Sequence, residues 1–194
     1  MNDQQAALQE LNDRFLAQLK SPLLKTATNV VPGDGSATAE LMFIGEAPGK
    51  KEDESGKPFV GAAGKFLNEM LAAINLERSD VFITNIVKCR PPDNRDPLPE
   101  EIAEFWPWLA AQITLINPKL VITLGRHSLS ALIPDQKISE VHGTVLRRVV
   151  PGMGKVNVYA LYHPAAALYN GSMREVLLKD FKKIPRVIEK LKEV

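Results

Sequence analysis

The feature that most constrains this chain is a recurrence. Short apolar runs stop at a glycine or a polar residue, and the segments between them repeat their apolar residues at helical spacing. Leu41-Met42-Phe43-Ile44 stops at Gly45, the run over residues 81–87 holds Asn85, and Leu120-Val121-Ile122-Thr123-Leu124 stops at Gly125. Continuous aliphatic runs of this kind belong to parallel strands buried on both faces. Between them, Phe66, Leu67, Met70, Leu71 and Ile74 share one helical face. Ile102, Phe105, Leu109, Ile113 and Ile116 share another, which opens at Pro99 with Glu100 and Glu101 behind it and should kink at Pro107. An amphipathic N-terminal helix carries Ala7, Leu8, Leu11, Phe15, Leu16 and Leu19 and ends before Pro22, and residues 29–37 form a turn-rich link. Residues 145–150 and 156–161 pair through a turn, the second joining the main sheet, and residues 174–194 are helical with a break at Pro185. Strand, helix and strand in succession imply right-handed crossovers. The expected architecture is α/β: a three-layer α/β/α sandwich around a central, mostly parallel four-stranded sheet, as a single domain over residues 1–194.

Composition removes several function classes. With 45% hydrophobic and 24% charged residues the chain is too apolar for a disordered one. It contains no run near the roughly 18 apolar residues of a membrane helix, and MNDQQAALQE is not a secretion signal, so a cytoplasmic protein with no membrane association is expected. The charge is uneven: residues 1–133 hold 13 Lys+Arg against 17 Asp+Glu, and residues 134–194 hold 11 against 6. A basic C-terminal third is compatible with a polyanionic partner.

Ligands of such sheets sit beyond the carboxyl ends of the strands. Four loops should meet there: 45–49, 57–61, 85–97 and 163–167. Their glycines fit no phosphate-binding pattern, since Gly45 and Gly49 lack the third glycine of the dinucleotide fingerprint and Gly61-Ala62-Ala63-Gly64-Lys65 is two residues short of a P-loop. His127, His142 and His163 are dispersed, Cys89 stands alone, and there is no Gly-x-Ser-x-Gly elbow, so neither a metal site nor a serine hydrolase is expected. What remains is a carboxylate, an aromatic ring, an amide and a histidine, a set suited to a planar polar ring.

These segments resemble the family 4 uracil-DNA glycosylases. The resemblance runs through Gly45-Glu46-Ala47-Pro48-Gly49, Gly56-Lys57-Pro58-Phe59-Val60-Gly61, Thr84-Asn85 to Pro92, Asn94-Arg95-Asp96-Pro97, Leu124-Gly125-Arg126 and Tyr162-His163-Pro164-Ala165-Ala166. It implies a DNA glycosylase that hydrolyses the N-glycosidic bond of deoxyuridine, releasing uracil at the start of base-excision repair. The same fold acting on hypoxanthine, xanthine or mismatched thymine, or a non-catalytic lesion binder, is the alternative. One departure is large. The family carries a four-cysteine iron–sulfur cluster, to which Cys89 corresponds, but the other three thiolates are missing and Phe105-Trp106 stand about where another would be. A relative with neither cluster nor other cofactor is expected, its aromatic pair filling the space.

The resemblance also implies roles. His163 donates to uracil O2 as the base departs, and Glu46 orients water or favours the cationic sugar. Where related families carry an aspartate this chain has Ala47, so a backbone carbonyl is the other candidate for holding the water; Ala47 itself is grouped with the uracil-binding residues. Phe59 stacks on the base, and Asn85 donates to O4 and accepts from N3–H, a pattern that cytosine inverts. Glu52 lies near the C5 edge where the methyl of thymine must be refused, and Asn94 is either a turn former or a second polar contact. An everted nucleotide leaves a hole in the duplex, which Leu168 or Tyr169 after Ala166 would fill. Arg126, with Arg147, Arg148, Arg174 and Lys179, is placed to meet phosphates. The expected partner is uracil-containing DNA, single- or double-stranded, bound by a monomer.

Overall fold

A computed structural model describes residues 3–193. In chain order these form α1 (Asp3–Gln18), β1 (Asp34–Gly35), β2 (Leu41–Gly45), α2 (Lys50–Ser55), α3 (Ala62–Ala72), β3 (Phe82–Asn85), α4 (Pro99–Ile116), β4 (Leu120–Leu124), α5 (Arg126–Leu132), α6 (Ile138–Val141), β5 (Val145–Val150), β6 (Gly154–Leu161), α7 (Ala166–Tyr169), α8 (Gly171–Phe181) and α9 (Ile184–Lys192). The strands form one sheet in the order β1-β3-β2-β4-β6-β5. β3, β2, β4 and β6 are parallel, with Ile44 opposite both Thr84 and Thr123, and Thr123 opposite Ala160. β1 and β5 are antiparallel edges.

Alternate residues of each central strand face opposite layers, which is why the strands read as unbroken apolar runs. Met42 and Ile44 of β2 join a core with Leu8 and Leu11 of α1, Phe105, Leu109 and Ile113 of α4, and Leu129 of α5. Leu41 and Phe43 join another with Phe66, Leu67 and Met70 of α3, Leu177 and Phe181 of α8, and Ile188 of α9. The three-layer α/β/α arrangement is therefore present, and α3 and α4 bury the faces that their periodicity marks, whereas α1 buries Leu8 and Leu11 but leaves Ala7 and Leu16 exposed.

Three details differ from expectation. The sheet has six strands among the described residues rather than four: its parallel core is the expected one, but β5 adds one edge and Asp34–Gly35, read as link, adds the other. A two-residue strand in which Gly35 and the preceding Gly33 both have positive φ carries no periodicity to read. The C-terminal break falls between Phe181 and Ile184, with Pro185 inside the first turn of α9, where its missing N–H costs nothing; Val194 lies outside the described residues. Of the aromatic pair, Phe105 is buried, whereas Trp106 is partly exposed and donates its ring N–H to Pro151 O at 3.0 Å. The larger buried ring is Trp108, which the sequence reading passed over; it stacks on Phe15 at 5.6 Å between centroids.

Candidate functional site

The carboxyl ends of β2, β3 and β6 open into a cleft of about 400 Å³. All four expected loops reach it. Its lining includes Glu46, Ala47 and Glu52, then Phe59, Asn85, Asn94 and His163. Seven residues separated by up to 117 positions in the chain thus share one concavity.

The floor is built by close approach. Asn85 ends β3, and the next two residues extend the ladder, with Ile86 N–H and Val87 N–H donating to the carbonyls of Gly45 and Glu46. The amide of Asn85 thereby comes to lie beside the end of β2, where a side chain on Gly45 would stand 2.4 Å from Asn85 Oδ1 and 2.7 Å from Phe59 Cζ. Only glycine fits at that strand end. Asn85 is 2% exposed, and its Oδ1 has no hydrogen-bond partner among the described residues. A buried acceptor without a donor is rare in a folded protein and marks a place for a ligand N–H.

Phe59 is 7% exposed, and its ring lies 5.7 Å from the ring of His163. Its backbone takes φ +51°, a left-handed conformation costing an aromatic residue on the order of 1–2 kcal/mol. Glu52 sits beside this loop and accepts from the N–H groups of Val60 and Gly61 at 2.9 and 2.8 Å. Expected at the edge of a bound base, Glu52 lines the cleft and also ties down the loop that carries Phe59.

His163 accepts from the N–H of Ala165 through Nδ1 at 3.1 Å. The proton of its neutral ring is therefore on Nε2. Burial lowers its pKa to about 4, against a raising influence from Glu52 and a lowering one from His127. The imidazole is neutral at physiological pH and offers one N–H donor. Burial raises the carboxyl of Glu46 above its ordinary value; Asp96 adds to this, and His127 and Arg126 oppose it.

Sequence reading missed His127. Its Nδ1 lies 3.6 Å from Glu46 Oε1 and its Nε2 lies 3.5 Å from Asp96 Oδ2, so the three ligand atoms cluster within 4.8 Å. Arg126 Nε donates to His127 Nε2 at 3.0 Å, placing a cation where a metal ion would need the lone pair. The one available signal was position: His127 lies two residues after the strand-ending Gly125.

The other expected residues divide. Asn94 is exposed at the rim in a left-handed conformation and accepts from Arg90 Nε at 2.7 Å, which makes it both turn former and lining residue. Its loop is anchored by Arg95, whose two Nη atoms reach Glu101 at 2.8 and 2.6 Å. Ala166 lines a neighbouring hollow that shares Glu46 and His163 with the cleft, while Leu168 and Tyr169 stand out into solvent at 49% and 91% exposure. Arg126 is exposed at the start of α5. Arg147 and Arg148 lie on the edge strand opposite Asn157 and Val156, not at the cleft, and Arg174 pairs with Glu69 and covers the ring of Phe66. Asp53, next to Glu52, is 3% exposed and accepts from the N–H groups of Thr28 and Asn29.

A four-thiolate cluster does not fit the donor set. Cys89 is the one cysteine of the sequence, fully buried in the core cluster that contains Phe105 and Trp108, and burial pushes its thiol up to about 12. Among the described residues no helix is long and apolar enough to cross a membrane.

Residues 32–192 match the family model described as Uracil DNA glycosylase superfamily. The chain is 47% identical over 184 residues to the type-4 uracil-DNA glycosylase of Archaeoglobus fulgidus, covering 92% of each protein. It is 46% identical over 187 residues to that of Sulfurisphaera tokodaii, covering 92% of this chain and 83% of the other. To the enzyme of the same name from Thermotoga maritima it is 38% identical over 194 residues, 98% of this chain and 99% of its relative.

Proposed function

The chain belongs to the uracil-DNA glycosylase superfamily, and from that membership we infer that it hydrolyses the N-glycosidic bond of deoxyuridine in DNA, releasing uracil and leaving an abasic site for base-excision repair. The roles given to individual residues are our proposal. The reaction builds positive charge on the sugar and negative charge on the departing base, so the site must stabilise opposite charges at two places.

The observation that carries the assignment is the orphaned Oδ1 of Asn85 at the floor of the cleft. Uracil supplies what it lacks, an N3–H donor, while the amide NH₂ donates to O4. Cytosine offers an acceptor at N3 and a donor at its 4-position, so both groups would be buried unpaired. Phe59 gives the ring a stacking surface. His163, neutral with its proton on Nε2, donates to O2 as the base takes up charge, a contribution that in other enzymes is worth ~10²–10³ in rate. Glu46 as a carboxylate accepts a proton from the attacking water and faces the cationic sugar. Ala47 and Asn94 complete the wall by shape.

For its base to enter the cleft, the nucleotide leaves its stack, and Leu168 and Tyr169 beyond Ala166 occupy the space. Their support is exposure: large apolar side chains standing in water beside a cleft suit insertion between bases. Arg126 meets a flanking phosphate. We further propose that the protein acts as a monomer in the cytoplasm, on uracil in single- or double-stranded DNA.

The test is direct. Purified protein is incubated with an oligonucleotide holding one uracil, and the product is cleaved with hot alkali. Scission at the uracil supports the assignment. No scission there, or equal scission at cytosine or thymine, overturns it.

A further inference from the structure

Phe59 has to present a flat ring from a backbone conformation that an aromatic residue avoids, and the structure shows what holds it there. The N–H groups on its C-terminal side, those of Val60 and Gly61, are taken by Glu52. The carbonyls of Pro58 and of Phe59 itself are taken by a residue outside the cleft. Arg78 donates through Nη2 to Pro58 O at 2.7 Å and through Nη1 to Phe59 O at 3.1 Å. The same Nη1 lies 3.3 Å from Asn68 Oδ1 of α3, and Asp34 of β1 stands 3.8 Å from Nη2. Arg78 itself sits in a single 3₁₀ turn, Arg78–Asp80, between α3 and β3.

We propose that Arg78 is a positioning residue for base recognition: its guanidinium bridges two consecutive carbonyls and locks the left-handed turn that aims the Phe59 ring into the cleft. Two features favour the guanidinium over any other cation here. A planar fork with fixed donor directions can bond two neighbouring carbonyls at once, which an ammonium group cannot do with the same geometry. Arg78 is also only partly exposed, at 24% of its side chain, so water does not readily replace these bonds. With the fork removed, the loop keeps its tie to Glu52 but loses the constraint on the peptide units that set the ring plane.

The inference rests on Phe59 being the stacking surface, and the experiment separates the two claims. Arg78→Met and Phe59→Leu are made singly and together, and inhibition by free uracil is measured alongside KM and kcat on a uracil oligonucleotide. Arg78→Met is expected to weaken uracil inhibition and raise KM by about tenfold, with kcat changed less than threefold. In the Phe59→Leu background it should add less than a factor of two, because there is no ring left to aim. Arg78→Lys, which keeps the charge near Asp34, should show a smaller loss in the same direction and serves if the methionine variant does not fold. Equal losses from the arginine substitutions in both backgrounds, or unaltered uracil inhibition in Arg78→Met or Arg78→Lys, overturns the role of Arg78. Unaltered uracil inhibition in Phe59→Leu overturns the reading of Phe59 itself.

Discussion

Two titrating side chains set the behaviour of this site at the scale of single residues. Burial lowers His163 to about 4 and raises Glu46 above its ordinary 4.5. With Glu46 as the proposed base, its raised carboxyl is expected to govern the acid limb of the pH–rate profile. The expected midpoint of kcat/KM lies above 4.5, and Glu46→Gln lowers the rate and flattens the limb. His127 opposes the rise at Glu46, so His127→Ala moves the limb toward neutrality. His163→Ala lowers single-turnover excision by ~10²–10³ without flattening it. His163 also carries a stability signature. Its folded-state value is below the ordinary 6.5, so from 6.5 down to about 4 the unfolded chain takes the proton first, and stability falls across that window. Denaturant titrations at pH 7.5 and 5 should show a smaller loss for His163→Ala than for the parent. Residue types and order along the chain pointed to Glu46, Phe59, Asn85 and His163. His127 escaped because its relevance is a 3.6 Å distance to a residue 81 positions earlier.

Elements place these groups through two devices. One is close packing of α3 on the Phe59 loop: a side chain on Gly64 would put its first carbon 1.7 Å from Phe59 O. Gly64→Ala therefore has to push the helix or the loop away, and should cut excision at least tenfold and lower the thermal midpoint. The other device lies behind Asn85. Lys88 is fully buried, and its ammonium nitrogen reaches Thr84 Oγ1 at 2.6 Å, Asn85 O at 2.8 Å and Gln112 Oε1 at 2.8 Å. Gln112 in turn donates to Asn12 Oδ1 and Pro32 O, tying β3, α4 and α1 together around the end of the strand. Burial holds the Lys88 pKa well below its ordinary value. Lys88→Met leaves three buried acceptors unpaired, so denaturant unfolding should show a loss of about 2–4 kcal/mol. Periodicity marked these helices and strands because it reports which face is dry. It is silent on a buried lysine, whose acceptors come from α4 and from a strand, β3, that lies before it.

For the whole molecule, a net charge of +1 leaves little general attraction to DNA, so capture falls to the few cations beside the cleft. Arg126→Ala should weaken binding to uracil-free DNA and reduce the slope of log affinity against log salt by about 1, read from titrations at several ionic strengths. Arg147→Ala, on the sheet edge, should leave that slope unchanged. The basic C-terminal third seen in the sequence is thus spread over a hairpin edge, an ion pair with Glu69 and helix faces rather than gathered at one surface. What the sequence determined by itself is whatever depends on local order: the alternation of strands and helices, the parallel core they build, the edge at which loops carrying Glu46, Phe59, Asn85 and His163 meet, and the absence of cysteines for a cluster. The tertiary structure decided what depends on distance between remote segments. It made Asp34–Gly35 a strand, gave Glu52 at the cleft a second task as a tie for the Phe59 loop, brought His127 to Glu46, and left Asn85 Oδ1 without a partner among the described residues. Side-chain pattern sets which faces are buried, but a hydrogen bond or its absence is fixed only when chain segments far apart in order come within 3 Å of each other.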